Sequence, residues 1–165
     1  QVSASAEGTY PLTDVQVDRF LLRALSHYPE RDEERQVVSR IDYLDEPVLN
    51  PVVDGGQIEA IQLLARQVFV AEAVLEYILD VTTALRHDPD VSFGPSPRGS
   101  ISLYKCCRAR ALLEGRDYVI PDDVKYLAEP ALSHRVHIKP EAEMEGVNAP
   151  LVVGRALSHV AVPKI

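Results

Sequence analysis

No stretch of this chain approaches 18 consecutive apolar residues, so no transmembrane helix is expected. Residues 1–6 have neither a basic nor an apolar region, and are not expected to act as a secretory signal. Basic residues are in the minority. The 17 Lys and Arg stand against 25 Asp and Glu, a formal net charge of −8. Phosphate backbones and anionic membranes are bound by clustered Lys and Arg, so a dedicated binder of either is disfavoured. Cysteine is scarce, with Cys106 and Cys107 adjacent in an expected helix. Side chains there point about 100° apart, which opposes a disulfide between them. They also lack the spacing and histidine companions of a zinc site, and read as reduced, structural thiols of a cytoplasmic protein. The five histidines form no ligand pattern. His134 and His137 are three apart, but Arg135 between them would oppose a cation.

A phosphate-cradling loop is missing as well. No glycine in the chain is followed by lysine, which rules out a Gly-x-x-x-x-Gly-Lys-Ser/Thr motif. The acidic pair in Tyr43-Leu44-Asp45-Glu46 superficially looks like a metal-binding strand end. No buried strand of four or more apolar residues leads into it, and Pro47 follows. It reads as a helix tail or linker.

What is present is a globular core, indicated by 46% hydrophobic residues and clear helical periodicity, in a length suited to one domain or a small domain with an appended piece. Thr13 can cap a short helix reaching Arg19, and 20–25 reads as a strand. A charged helix is expected over 30–41, with Val37, Val38 and Ile41 on one face. Residues 45–56 hold two prolines, an Asn and a Gly-Gly pair, which is a linker by composition. Helices are expected over 57–67, with Ile58, Ile61, Leu64 and Ala65 on one face, and over 71–85, with Val74, Leu75, Ile78, Leu79 and Val81. These apolar stripes read as core packing rather than a cofactor site. Residues 68–70 are a short apolar run leading into the second of these helices, and a short extended piece is expected at 117–120. Residues 86–95 read as a polar loop, a helix runs from Pro121 toward His134, and Asn148 caps a last helix over 149–160.

The most informative segment is Gly94-Pro95-Ser96-Pro97-Arg98-Gly99-Ser100, which opens a helix that Gly115 ends. Ser96 is a good N-cap and Pro97 suits the first helical position. Arg98 follows in the first turn, where it opposes the positive end of the helix dipole. That placement is better explained by an anion, because free N–H groups and a guanidinium together bind phosphate. A solvated surface Arg is the plainer alternative.

The stretch from Ser96-Pro97-Arg98 through Arg110 to Val124 resembles the lid subdomain of MoxR-type AAA+ ATPases. Glu7-Gly8-Thr9-Tyr10-Pro11-Leu12, then Val17-Asp18-Arg19-Phe20, is similar to the signature that ends that family's ATPase core. Leu132-Ser133-His134-Arg135 is similar to its His-Arg pair near the end of the lid. The three matches fall in the family's order over residues 7–160. The family's sensor-1 asparagine has no counterpart in Gln1-Val2-Ser3-Ala4-Ser5-Ala6.

The resemblance implies a mainly α fold: a lid bundle of four to five helices after a small α/β remnant of the core. It divides the chain into 1–44, the end of the core; 45–56, the linker; and 57–165, the lid. Arg98 would be the sensor-2 residue, reaching the bound nucleotide's phosphates. Arg19 is the candidate arginine finger, acting in trans on a neighbouring subunit, with Arg23 as its nearby alternative. A surface pairing of Arg19 with Asp14 or Asp18 is the competing reading. The parent protein would bind ATP and Mg²⁺ between core and lid. It would form a homo-oligomeric ring, a hexamer in the family's manner, and act as a chaperone-like ATPase beside a von Willebrand factor A domain protein. No nucleic acid and no membrane insertion are implied. Without a P-loop and Walker B these 165 residues alone are expected to bind no nucleotide and to be inactive. The alternative from another class is a non-enzymatic helical protein-interaction module with an acidic surface.

Overall fold

A computed structural model describes residues 12–164. The Glu7–Pro11 part of the first signature lies outside the described residues. The elements run α1 (Asp14–Val17), α2 (Arg31–Ser39), α3 (Ile41–Asp45), α4 (Gly55–Gln67), α5 (Glu72–His87), β1 (Val91–Phe93), α6 (Pro97–Leu113), α7 (Pro121–Leu132), a 3₁₀ turn (Ser133–Arg135), β2 (His137–Ile138), α8 (Pro140–Met144) and α9 (Ala149–His159).

Four helices, α5, α6, α7 and α9, pack on one another, with α6 most extensively against α7 and α4 lying outside on α6. This is the mainly helical lid that the sequence implies; Val74, Ile78 and Val81 are buried where the periodicity places them, whereas Leu75 is half-buried and Leu79 exposed. Val74, Tyr77, Ile78, Val81 and Leu85 of α5 meet Leu103, Cys106, Cys107 and Ala111 of α6. Val124, Leu127, Ala128, Ala131 and Leu132 of α7, with Val152, Val153 and Ala156 of α9, close the bundle. Both cysteines are buried free thiols, and burial pushes both thiols above the usual range.

Local chemistry sets the helix ends. The Asn148 side chain accepts from the Leu151 N–H at 3.0 Å, which caps α9. Gly115, at φ 72°, supplies the left-handed residue after α6. The Arg116 N–H then donates to Ala111 O at 2.8 Å and the Gly115 N–H to Leu112 O at 3.0 Å, a Schellman closure. Pro130 lies inside α7, where it cannot donate to the preceding turn, and the helix ends two residues later, at Leu132, giving way to the 3₁₀ turn. The bidentate pair from Arg116 to Asp123, at 2.7 and 2.9 Å, fastens the start of α7 to the end of α6. Asp123 is buried, and the Arg110 Nε lies 3.2 Å from the same carboxylate.

Several expectations need correction. Residues 20–25 form no strand. Their backbone meets the lid through one bond, Arg23 N–H to Pro130 O at 2.8 Å, and through side chains of the 3₁₀ turn. A strand needs a neighbouring ladder, and no described segment lies alongside to supply one. The 30–41 helix breaks at Arg40 into α2 and α3. Gly55 and Gly56 belong to α4 rather than to a connecting loop, because Asp54 caps that helix through the Gln57 N–H at 2.8 Å.

The apolar stripes of α2 and α4 are not core packing among the described residues. Val37, Val38, Ile58, Ile61 and Leu64 are all exposed. Within 86–95 the chain forms β1, which pairs antiparallel with β2. Strands of three and two residues are too short to carry a readable alternation. The short pieces at 68–70 and 117–120 do meet, as a parallel bridge between Phe69 and Tyr118.

Candidate functional site

The start of α6 is built as its sequence requires. The Ser96 hydroxyl accepts from the Arg98 N–H at 3.2 Å, Pro97 occupies the first turn, and the Gly99 N–H donates to Ser96 O at 2.9 Å. Gly99 is buried because the turn is pressed onto the end of α7. A Cβ there would fall 2.8 Å from Pro95 Cβ and 3.2 Å from Leu132 Cδ2. The Arg98 side chain, 59% exposed, points out of this packed turn, with its Nε 3.8 Å from Asp18 Oδ2.

Asp18 is where the separate sequence motifs converge. Its Oδ2 also accepts from the Ser96 hydroxyl at 2.9 Å, and its Oδ1 accepts from Arg135 Nε at 3.0 Å. Thus Val17-Asp18-Arg19-Phe20, Ser96-Pro97-Arg98 and His134-Arg135 meet at one carboxylate, although 78 and 117 residues separate its partners from it in sequence.

Arg135 is the residue that sequence reasoning left without a role. Only 4% exposed, it donates to Asp18, to the carbonyls of Asp18 (2.9 Å), Phe20 and Ala131, and to the Ser102 hydroxyl at 3.1 Å. A buried guanidinium requires such saturation, since its charge cannot be left unpaired. The signal for it was an Arg flanked by the apolar positions Leu132 and Val136. That pattern marks a cation in the core and therefore a carboxylate partner elsewhere in the chain.

His134 reinforces the same contact. Its Nε2 lies 3.1 Å from Phe20 O, and a carbonyl only accepts, so the proton is on Nε2. Burial, the largest influence, holds its imidazole below the ordinary value of 6.5. The other histidines are placed apart from it: His87 and His159 bond carbonyls one turn back, and His137 faces Asp14 at 3.9 Å.

Arg19 is exposed, and among the described residues it makes no ion pair with Asp14 or Asp18. Its own backbone N–H donates to Gln16 O at 3.1 Å, which sets it at the end of α1. Arg23 is held by its backbone and lines a groove of 1190 Å³ between 12–26 and the 133–149 region. Neither Arg98 nor Arg19 lines that mostly apolar groove. No helix among the described residues is long and apolar enough to cross a membrane.

Residues 83–154, which hold α6, α7 and most of α9, match the AAA lid domain family. The chain is 42% identical over 159 residues to the uncharacterized protein YeaC of Bacillus subtilis, covering 95% of this chain and 49% of that protein. It is 33% identical to the chaperone MoxR1 of Mycobacterium tuberculosis, covering 96% of this chain and 44% of the relative. A Cytophaga hutchinsonii protein provisionally classed as an ATPase has a crystal structure that superposes with a TM-score of 0.89 at 29% identity, over 99% of this chain and 53% of that one. The fold and these likenesses define an AAA+ lid. The chain is similar to MoxR-type AAA+ proteins, and it spans about half the length of the curated relatives it matches.

Proposed function

We propose that this chain supplies the phosphate-sensing lid of a ring-forming AAA+ ATPase. The observation that carries this reading is Arg98: a guanidinium left free to swing, in the first turn of a 17-residue helix, already facing an anion 3.8 Å away. A nucleotide phosphate would compete with Asp18 for it, drawn by the guanidinium and by the positive end of the helix dipole. In the longer protein Arg98 stabilises phosphate charge in cis, and Arg19, exposed at the end of α1, acts in trans as an arginine finger. ATP and Mg²⁺ bind between the core and the lid, and ring assembly brings a neighbour's Arg19 to that site. Residues 1–44 end the core, 45–54 connect, and the lid runs from α4 to 165. Hydrolysis drives chaperone-like remodelling of a partner protein, in keeping with the chaperone name of the mycobacterial relative. A partner with a von Willebrand factor A domain is the associate that the family resemblance implies.

The test is steady-state ATP hydrolysis by the full-length protein, wild type beside Arg98→Ala. A fall of about two orders of magnitude with the fold intact is expected for a lost transition-state phosphate contact. Unchanged turnover would reduce Arg98 to a surface residue, whereas no turnover by the wild type would favour a non-enzymatic interaction module.

A further inference from the structure

Resting on the roles of Arg98 and Arg19 given above, we propose that Asp18 is a positioning residue that links the phosphate-sensing start of α6 to the in-trans arginine. Its two oxygens have different duties. Oδ1 is fastened to the buried Arg135 at 3.0 Å, while Oδ2 takes the Ser96 hydroxyl at 2.9 Å and faces Arg98 at 3.8 Å. One peptide bond further on is Arg19. A short covalent and hydrogen-bonded path therefore joins the two arginines: Arg98, Ser96, Asp18, Arg19.

Among the described residues, the segment that carries Arg19 has little else to hold it. Helix α1 is four residues long and buries no side chain. Its neighbours dock through Arg135 on the Asp18 and Phe20 carbonyls, through His134 on Phe20 O and through the Arg23 N–H on Pro130 O. All of these anchors lie on the end of α7 and the 3₁₀ turn, the same surface against which Gly99 presses the start of α6. Among the described residues the orientation of Arg19 is consequently set by the lid. The Arg98 contact is long and exposed, so a phosphate can take the guanidinium away from Oδ2. The carboxylate then turns wholly to Ser96 and Arg135, and the segment ending in Arg19 shifts with it. Nucleotide bound by one subunit would in this way adjust the finger that the same subunit offers to its neighbour.

The experiment uses the full-length protein, with ATP turnover and the affinity for a fluorescent ATP analogue measured in parallel. Asp18→Asn keeps the shape and removes the charge. Turnover is expected to fall about tenfold or more with affinity changed less than about threefold, the split of a group that acts on the chemical step. On an Arg19→Ala background, Asp18→Asn is expected to add less than about twofold, because residues acting through one another are not additive. Full turnover in Asp18→Asn, an equal loss of affinity, or an additive loss in the double variant would each overturn the proposal. So would an Arg19→Ala variant with normal turnover, which leaves Asp18 nothing to position. Should Asp18→Asn fail to fold, Ser96→Ala keeps the Arg135 pair and cuts only the path. Its loss of turnover should vanish on the Arg19→Ala background, and persistence there overturns the link. Arg98→Ala in the same assays separates the two ideas. Wild-type behaviour of that variant defeats the phosphate-sensing reading itself, whereas loss in Arg98→Ala beside full activity in Asp18→Asn defeats the positioning role alone.

Discussion

Residues 12–67 and 68–160 carry similar amphipathic helical patterns and come to opposite ends. From Val68 onward the apolar positions form a continuous core, with Ile78, Leu103, Leu132 and Val152 fully buried. Before Val68 no described side chain is buried, although α4 is a 13-residue helix with a complete N-cap and an apolar stripe. Periodicity records which face of a helix is suited to burial; burial itself needs an opposing layer. The later region provides its own layer through four mutually packed helices. The earlier one touches the four-helix bundle through α4 and through the polar clasp around Asp18, where charge and hydrogen bonds replace apolar contact.

The largest effect separates the two regions directly. Leu103→Ala, at a fully buried site, is expected to destabilise the lid by about 2–5 kcal/mol, whereas Ile61→Ala, on the exposed stripe of α4, should stay within about 0.5 kcal/mol. Denaturant unfolding of this 165-residue chain reads both, and a comparable loss at Ile61 would show that α4 shares the cooperative core. The next effect compares helix caps. Removing the cap of α9 with Asn148→Ala should cost about 1 kcal/mol in global unfolding. Asp54→Ala should instead loosen α4 locally, seen as faster amide exchange at Gln57 and its neighbours, with the global midpoint unchanged.

The smallest effect concerns the junction between the regions. The folded state holds His134 below its ordinary value of 6.5, so the unfolded or undocked chain binds more protons in the interval beneath it. The contribution of His134 is therefore complete above about pH 6.5 and declines as the pH falls through the lowered folded value. Amide exchange at Phe20–Arg23 should accelerate between pH 7.5 and pH 5.5 after correction for intrinsic rates, while the α5–α7 core keeps its protection. His134→Gln should abolish that pH dependence, and its survival in the variant would assign it to another group.

Much of the lid was legible because its determinants are local. Ser96, Pro97, Gly115 and Asn148 act within one turn of where they sit, and the stripes of α5 to α7 satisfy a 3.6-residue period over three or more turns. Arg98 was visible for the same reason, as a cation in a helix's first turn where the dipole disfavours it. The expected strand at 20–25 was wrong because an apolar run states a preference for burial without saying what lies beside it. The pair β1 and β2 was missed because two or three residues show no period.

The sequence by itself determined the principal helices of the lid, the caps at Ser96, Gly115 and Asn148 and the presence of the three motifs, all of which follow from interactions within a few residues. Only the tertiary structure decided that those motifs meet at Asp18, that Arg135 is the buried charge holding them, and that the stripe of α4 stays exposed. Those outcomes depend on contacts between residues 78 to 117 positions apart and on which layers face one another, and no local pattern encodes either.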